Sequence, residues 1–165
     1  ETLIPCATEF TSSRLVGRAK CEIYSRPQAY RSSHLPNLTM LVNGVDIIEI
    51  SRVKRVSEQY GQRFSRRIYT EGEIAYCRGR APQMASRFAA KEAVMKALGT
   101  GIRGVRWKDI EVVRQQGRAP RILLHGSALV RAHALGIEDI AVTLSHSHDY
   151  AIAFVVAESH RPNYS

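Results

Sequence analysis

An α+β fold is what this sequence predicts, on three observations. From Met40 onward short strand-like runs alternate with helical patterns, one helix opening near Pro82 is long and rich in Ala, Met, Lys and Glu, and two β-rich runs near the end flank a single polar turn. No internal repeat competes with that reading.

The elements follow in order. Leu41 to Ile47 is an apolar run that reads as the first strand. Ile50, Val53, Val56 and Tyr60 then recur at helical spacing with Arg52 and Arg55 on another face, which predicts an amphipathic helix with a basic outer side. Gln62 to Tyr69 continues it and adds Arg63, Arg66 and Arg67. Thr70-Glu71-Gly72-Glu73 is a capping-box pattern that starts a second, short helix. Pro82 suits the first turn of a third helix, Gln83 to Leu98, which Gly99 stops. Asp109 to Arg114 and Arg121 to His125 read as strands joined by the turn Gln116-Gly117-Arg118, and Ser127 to Leu135 as a short helix ended by Gly136. Ile140 to Ser145 and Tyr150 to Val156, on either side of His146-Ser147-His148-Asp149, predict a terminal hairpin.

Length and composition set bounds on function. The chain has 165 residues, one domain's worth, of which 44% are hydrophobic, enough for a core without disulfide or metal staples. Its longest apolar runs, such as Tyr150 to Ala157, fall far below the roughly 20 residues that cross a bilayer, and no signal-peptide pattern opens the chain. A cytoplasmic protein without a membrane partner is therefore expected. Cys6, Cys21 and Cys77 are an odd number without CxxC or Cys/His zinc spacing. A net charge of +9 and a pI near 9.9 call for a nucleic acid, an acidic protein or a phosphorylated ligand.

Residues 1–39 read differently from the rest. They lack periodicity, contain Pro5, Pro27 and Pro36, and hold two of the three cysteines. They are expected to form a leader, flexible or the product of upstream translation, before a domain of residues 40–165. That domain carries 19 Lys plus Arg against 12 Asp plus Glu, so most of the excess charge belongs to it.

Several motifs have a structural explanation at hand. Gly99-Thr100-Gly101-Ile102-Arg103-Gly104 matches GxGxxG but follows a helix and precedes a strand, the reverse of a dinucleotide-binding turn. It reads as a helix C-cap and a glycine loop in which the backbone, at Gly101 for instance, can approach a ligand closely. His146 and His148 are too few for a zinc site. Ser145, His148 and Asp149 are near neighbours in sequence with no GxSxG elbow, which argues against a hydrolytic triad. Asp46 ends the first strand, and read alone it caps the next helix with Glu49 in the first turn.

The long helix raises a second possibility. At about 100° per residue Glu92 lies about 40° and Lys96 about 80° from Phe88, so Glu92 borders the apolar stripe, a poor place for a carboxylate without a partner. A surface Glu92–Lys96 pair is one reading. The dense set Arg87, Lys91, Glu92 and Lys96 before a glycine loop also suits a phosphorylated substrate, with a carboxylate for a hard cation and several cations for phosphate oxygens.

Four segments together resemble one family: Gly44-Val45-Asp46-Ile47, Arg87-Phe88-Ala89-Ala90-Lys91-Glu92-Ala93, Lys96-Ala97-Leu98-Gly99-Thr100-Gly101 and Leu144-Ser145-His146-Ser147. They are similar, in order and spacing from about Met40 to Glu158, to the holo-acyl-carrier-protein synthases, the small bacterial 4′-phosphopantetheinyl transferases. The resemblance implies an antiparallel sheet with a long central helix and a homotrimer with active sites at subunit interfaces. It implies transfer of 4′-phosphopantetheine from coenzyme A to a serine of apo-acyl carrier protein, releasing adenosine 3′,5′-bisphosphate, in fatty acid biosynthesis. Asp46 and Glu92 match the positions that bind Mg²⁺ in the family. Lys96 would stabilise the transferring or leaving phosphate. Arg87, His146 and Ser147 would hold the nucleotide end. The serine proton would pass to a carboxylate near the metal or to a water on it.

Under the same resemblance the first helix receives the acidic carrier. Between Arg52 and Arg67 six Lys/Arg stand against Glu58 alone, a net +5, and Arg52 and Arg55 are the docking candidates. The alternative from another class is a basic nucleic-acid-binding module. It rests on the pI and the Arg52 to Arg67 cluster, but the chain has one Trp and no RNP-like aromatic stripe, helix-turn-helix or zinc finger. A related enzyme serving a dedicated synthase carrier domain would differ only in carrier specificity.

Overall fold

The computed structural model describes residues 39–115 and 117–160, so the expected leader, apart from Thr39, lies outside the described residues. The elements run β1 (Met40–Glu49), α1 (Ile50–Ile68), α2 (Glu71–Cys77), α3 (Ala81–Ala97), α4 (Gly101–Gly104), β2 (Ile110–Val113), β3 (Arg121–Leu124), α5 (Gly126–Ala134), β4 (Ile137–His146) and β5 (Tyr150–Ser159), with a 3-10 turn at Trp107–Asp109. The α+β class and the antiparallel sheet are as expected.

β1, β5 and β4 form one antiparallel sheet in that order, and β2 pairs with β3 in a second. Strand alternation decides what each face does. In β1 the buried residues are Gly44 and Ile48, and in β5 Ala151, Ala153, Val155, Ala157 and Ser159, each set on one strand face, and both strands pack on α3. Leu41, Val45, Ile47, Ile152 and Phe154 point the other way and are exposed. β4 carries a bulge between Ile137 and Ile140, with an extra residue that re-aims its start.

α3 is the centre of the domain. Met84, Ala85, Ala89, Ala90, Ala93, Val94, Met95 and Ala97 are all buried, and Ser86, Arg87 and Lys91 are buried with them, so the helix is enclosed almost all round. The run of alanines keeps it thin enough for the sheet to approach. At Gly44 the approach reaches van der Waals contact with the helix backbone, because a Cβ there would stand 2.0 Å from Ala93 O. Each fully buried Met95, Leu98 or Val155 side chain contributes about 1.5–3 kcal/mol.

Two buried groups tie the remaining elements to α3. The expected capping box is present: Thr70 N donates to Glu73 Oε2 at 2.8 Å and Glu73 N to Thr70 Oγ1 at 3.3 Å. The Glu73 carboxylate also accepts from Val112 N at 3.0 Å and from the Lys91 ammonium at 2.8 Å, joining α2, α3 and β2. Tyr69 donates its hydroxyl to Met84 O at 3.0 Å, and burial holds its proton on well above the usual tyrosine range.

The structure differs from the sequence reading at several points. β1 runs on to Glu49, so Asp46 sits inside a strand and caps nothing; Glu49 is the N-cap of α1, makes no side-chain cap bond, and leaves no acid in its first turn. α1 is broken at Gly61, whose φ of 52° and ψ of −129° suit glycine alone. The glycine loop contains the short helix α4, and Asp109 belongs to the 3-10 turn instead of β2. Of the turn between β2 and β3, Gln116 lies outside the described residues. Cys77 is buried and unpaired, and burial raises its thiol pKa.

Candidate active site

The site begins with the contact between β1 and α3. Gly44 and Asp46 are two residues apart on one strand face, so the close approach at Gly44 brings Asp46 against the last turns of α3. There Lys96 Nζ donates to Asp46 Oδ1 at 2.9 Å and to Val45 O at 2.7 Å. The Asp46 side chain is only 12% exposed, whereas that of Lys96 is 51% exposed, so the ammonium reaches from solvent to a carboxylate largely shielded from it. A third N–H of Lys96 is engaged by neither bond.

Glu92 stands one turn before Lys96 and faces the same cavity as Asp46. That cavity, of about 320 Å³, also has Arg52 and Val56 from α1 and Phe64 and Phe88 in its walls. Burial raises the Glu92 pKa, the nearby Asp46 carboxylate raises it further, and Lys96 and Arg52 oppose the rise. Two carboxylates on different elements thus line one cavity, with Arg52 in its wall and Lys96 bonded to Asp46.

That donor set fits a hard divalent cation. Mg²⁺ is commonly held by one or two protein carboxylates, with substrate phosphate and water completing the octahedron, and it would relieve the repulsion between Asp46 and Glu92. Among the described residues no group of three or more His, Cys, Asp or Glu gathers in a geometry for a metal, so the structure offers a two-carboxylate seat and not a closed cage.

Other expected ligands lie elsewhere. Lys91, expected at the coenzyme, is fully buried; its three donors go to Glu73, Trp107 O and Ile110 O, which leaves none for a phosphate. Desolvation lowers its pKa against the pull of Glu73. Arg87 is 3% exposed, lies 4.0 Å over the Tyr76 ring and donates to Gln83 O at 3.3 Å. Five residues before Glu92, it is turned about 140° around the helix from it, away from the cavity. Its buried Nε has no partner among the described residues.

Gly101 opens α4 beyond the end of α3 and is exposed. His146 closes β4 in the row of Ala151 and Ile48, exposed, and Ser147 forms the following turn, its N–H donating to Tyr150 O at 2.9 Å. Neither is in the cavity wall within one chain. Arg52 lines the cavity, and Arg55, also exposed, sits one turn further along α1. The sequence reading did not single out Phe64 or Val56 as site residues: Val56 carried only its helical spacing and Phe64 no mark at all, and the structure puts both in the cavity wall.

Comparison with known proteins gives a consistent picture. The model of the 4′-phosphopantetheinyl transferase superfamily matches residues 43–155. The holo-[acyl-carrier-protein] synthase of Herpetosiphon aurantiacus is 50% identical over 124 residues, covering 71% of this chain and 98% of that protein. The synthase of Moorella thermoacetica is 49% identical over 123 residues, covering 73% and 95%. Among solved structures, the Helicobacter pylori holo-[acyl-carrier-protein] synthase in complex with coenzyme A superposes with a TM-score of 0.64 at 30% identity, covering 70% of this chain and 98% of that one. The Neisseria meningitidis synthase gives a TM-score of 0.64 at 36% identity, covering 72% and 98%.

Proposed function

The chain belongs to the holo-[acyl-carrier-protein] synthase family of 4′-phosphopantetheinyl transferases, and on that premise we propose how its own residues carry out phosphopantetheine transfer from coenzyme A to an acyl carrier protein. The observation that carries the proposal is that Asp46, Glu92 and Arg52 line one cavity while Lys96 is bonded to Asp46 beside it. The serine oxygen of the carrier forms a new bond to the phosphorus next to pantetheine, and the bond to the adenosine 3′,5′-bisphosphate oxygen breaks.

Asp46 and Glu92 would hold Mg²⁺, which when bound supplies charge neutralisation across the pyrophosphate. Lys96, fixed by Asp46 and Val45 O, presents its remaining N–H to the transferring or leaving phosphate, where negative charge builds. Phe88, Phe64 and Val56 give the cavity an apolar wall suited to a pantetheine arm and to the apolar residues around an acceptor serine. Arg52 and Arg55 on the exposed side of α1 favour an acidic carrier.

A homotrimer completes the site. The outward face of the sheet aligns Ile47 with Ile152 and Val45 with Phe154, an exposed apolar patch on the side of β1 opposite Asp46. Association through that patch would bring His146, Ser147 and Gly101 of neighbouring copies toward the nucleotide of a shared coenzyme. Fatty acid biosynthesis is the pathway such a reaction serves. A membrane role gains no support, since no described helix is long and apolar enough to cross one, and the nucleic-acid alternative gains none from the comparisons.

Incubation with apo-carrier, coenzyme A and Mg²⁺ should add the mass of one phosphopantetheine to the carrier. No gain with any bacterial carrier would overturn the proposal.

A further inference from the structure

A second basic surface lies apart from Asp46 and Glu92. Arg66 and Arg67, at the end of α1, face Arg103 of α4 and Arg106 and Lys108 around Trp107, across an open groove of about 760 Å³. All five cations are exposed, and none belongs to an ion pair among the described residues. The groove wall holds no acid. Asp109, next in the chain, turns its carboxylate to Ser127 N at 2.9 Å and Ser127 Oγ at 2.6 Å instead.

Five unpaired cations repel one another, and an isolated domain gains nothing in stability from gathering them. Such a concentration is accounted for by an anionic partner. The groove is separated from the active-site cavity by a single aromatic pair. Phe88 lies in the wall of the cavity, Trp107 in the wall of the groove, and their rings pack with centroids 4.8 Å apart. α1 spans both, with Arg52 at the cavity and Arg66 and Arg67 at the groove.

We propose that this groove is a second docking contact for the acidic carrier protein, engaged while the carrier's serine occupies the cavity on the other side of the Phe88–Trp107 pair. The proposal rests on the carrier reading above and extends it from the start of α1 to α4 and the 3-10 turn. A folded acidic protein fits better than single-stranded nucleic acid. Strand binding relies on aromatic platforms for bases, whereas Trp107 is partly buried with its ring packed on Phe88, and no second aromatic lines the groove. Contacts of this kind act mainly on encounter, so their signature is a salt-dependent carrier KM with an unchanged chemical step.

The test is the triple variant Arg103→Glu/Arg106→Glu/Lys108→Glu beside a charge-neutral Gln triple, with thermal melting to establish that both fold. Carrier KM should rise about tenfold or more at low salt in the Glu variant and less in the Gln variant, the difference shrinking as salt is raised. kcat at saturating carrier and KM for coenzyme A should stay at wild-type values. An unchanged carrier KM overturns the proposal. So does a rise in coenzyme A KM instead, which would give the groove to the nucleotide, or a gel shift of single-stranded nucleic acid lost in the variant while carrier KM is unmoved. A wild-type chain that transfers nothing to any carrier overturns the functional reading beneath it, an outcome distinct from the others.

Discussion

Gly44 and Ala93 leave no room between them. A Cβ on Gly44 would come within 2.0 Å of Ala93 O and 3.0 Å of Ala97 N, both backbone atoms of α3 that cannot swing aside. Gly44→Ala must therefore push the strand off the helix, at about 1–3 kcal/mol for a single overpacked methyl and more where backbone has to move. Chemical denaturation should show the loss. Transfer should fall further than stability, because Asp46 rides on the same strand two residues away.

Glu92 carries a pH signature. Its folded pKa is raised, chiefly by burial and then by Asp46, so the folded state binds this proton more tightly than the unfolded chain does. The stability it contributes is fully present below the ordinary carboxylate range and is lost as pH rises through the raised folded value. Without divalent cation the wild type should lose stability across that window relative to Glu92→Gln. Mg²⁺ should restore the wild type and leave the variant unmoved. Transfer by Glu92→Gln should be abolished with the fold intact; normal activity would remove Glu92 from the reaction.

Lys91 is assigned to the core and not to the coenzyme. Lys91→Met strands the buried Glu73 carboxylate with only two N–H donors, at about 3–5 kcal/mol for a broken buried pair. Adding Glu73→Leu should recover part of that loss. In the fraction that folds, KM for coenzyme A should match the wild type; a selective rise would return Lys91 to the ligand.

Arg52 lines the cavity, whereas Arg55, one turn on, is exposed outside it. Arg55→Glu should raise the KM for carrier by about tenfold at low salt, an effect screened at high salt, with coenzyme A binding retained. Steady-state kinetics at two ionic strengths would separate this from a collapse of the site, which would lower kcat at every salt concentration.

Phe154 and Ile152 test the assembly. Replacing either exposed residue by Glu should leave the fold of one chain unchanged and, in sedimentation analysis, move the proposed trimer toward monomer. Activity should then fall with dilution. A wild-type chain that sediments as a monomer at all concentrations would refute the shared site.

Legibility in the sequence followed the range of the physics involved. The capping box at Thr70, the stop at Gly99 and the terminal hairpin depend on neighbours in sequence, and each lies where periodicity and turn residues placed it. Asp46 was harder. A carboxylate at the end of an apolar run caps a helix by local rules, and only the long-range register of β1 on β5 keeps it inside a strand. Cations next to a glycine loop suit phosphate, and that placed Lys91 and Arg87 toward a ligand, whereas their burial in one chain was not legible. Their burial depends on Glu73 and Tyr76 arriving from α2, which helical spacing on α3 alone does not reveal.

The break at Gly61 has a consequence for how such chains can change in length. Within Ile50–Tyr60 one inserted residue would turn everything after it by about 100° and carry Arg52 or Val53 off its face. At Gly61 the helical phase is already interrupted, and a Cβ there would meet nothing within 4 Å. Insertions and deletions between the two halves of α1 should therefore be absorbed at this point, moving Phe64 and the basic groove relative to Arg52 and Val56 while each half keeps its own helical phase.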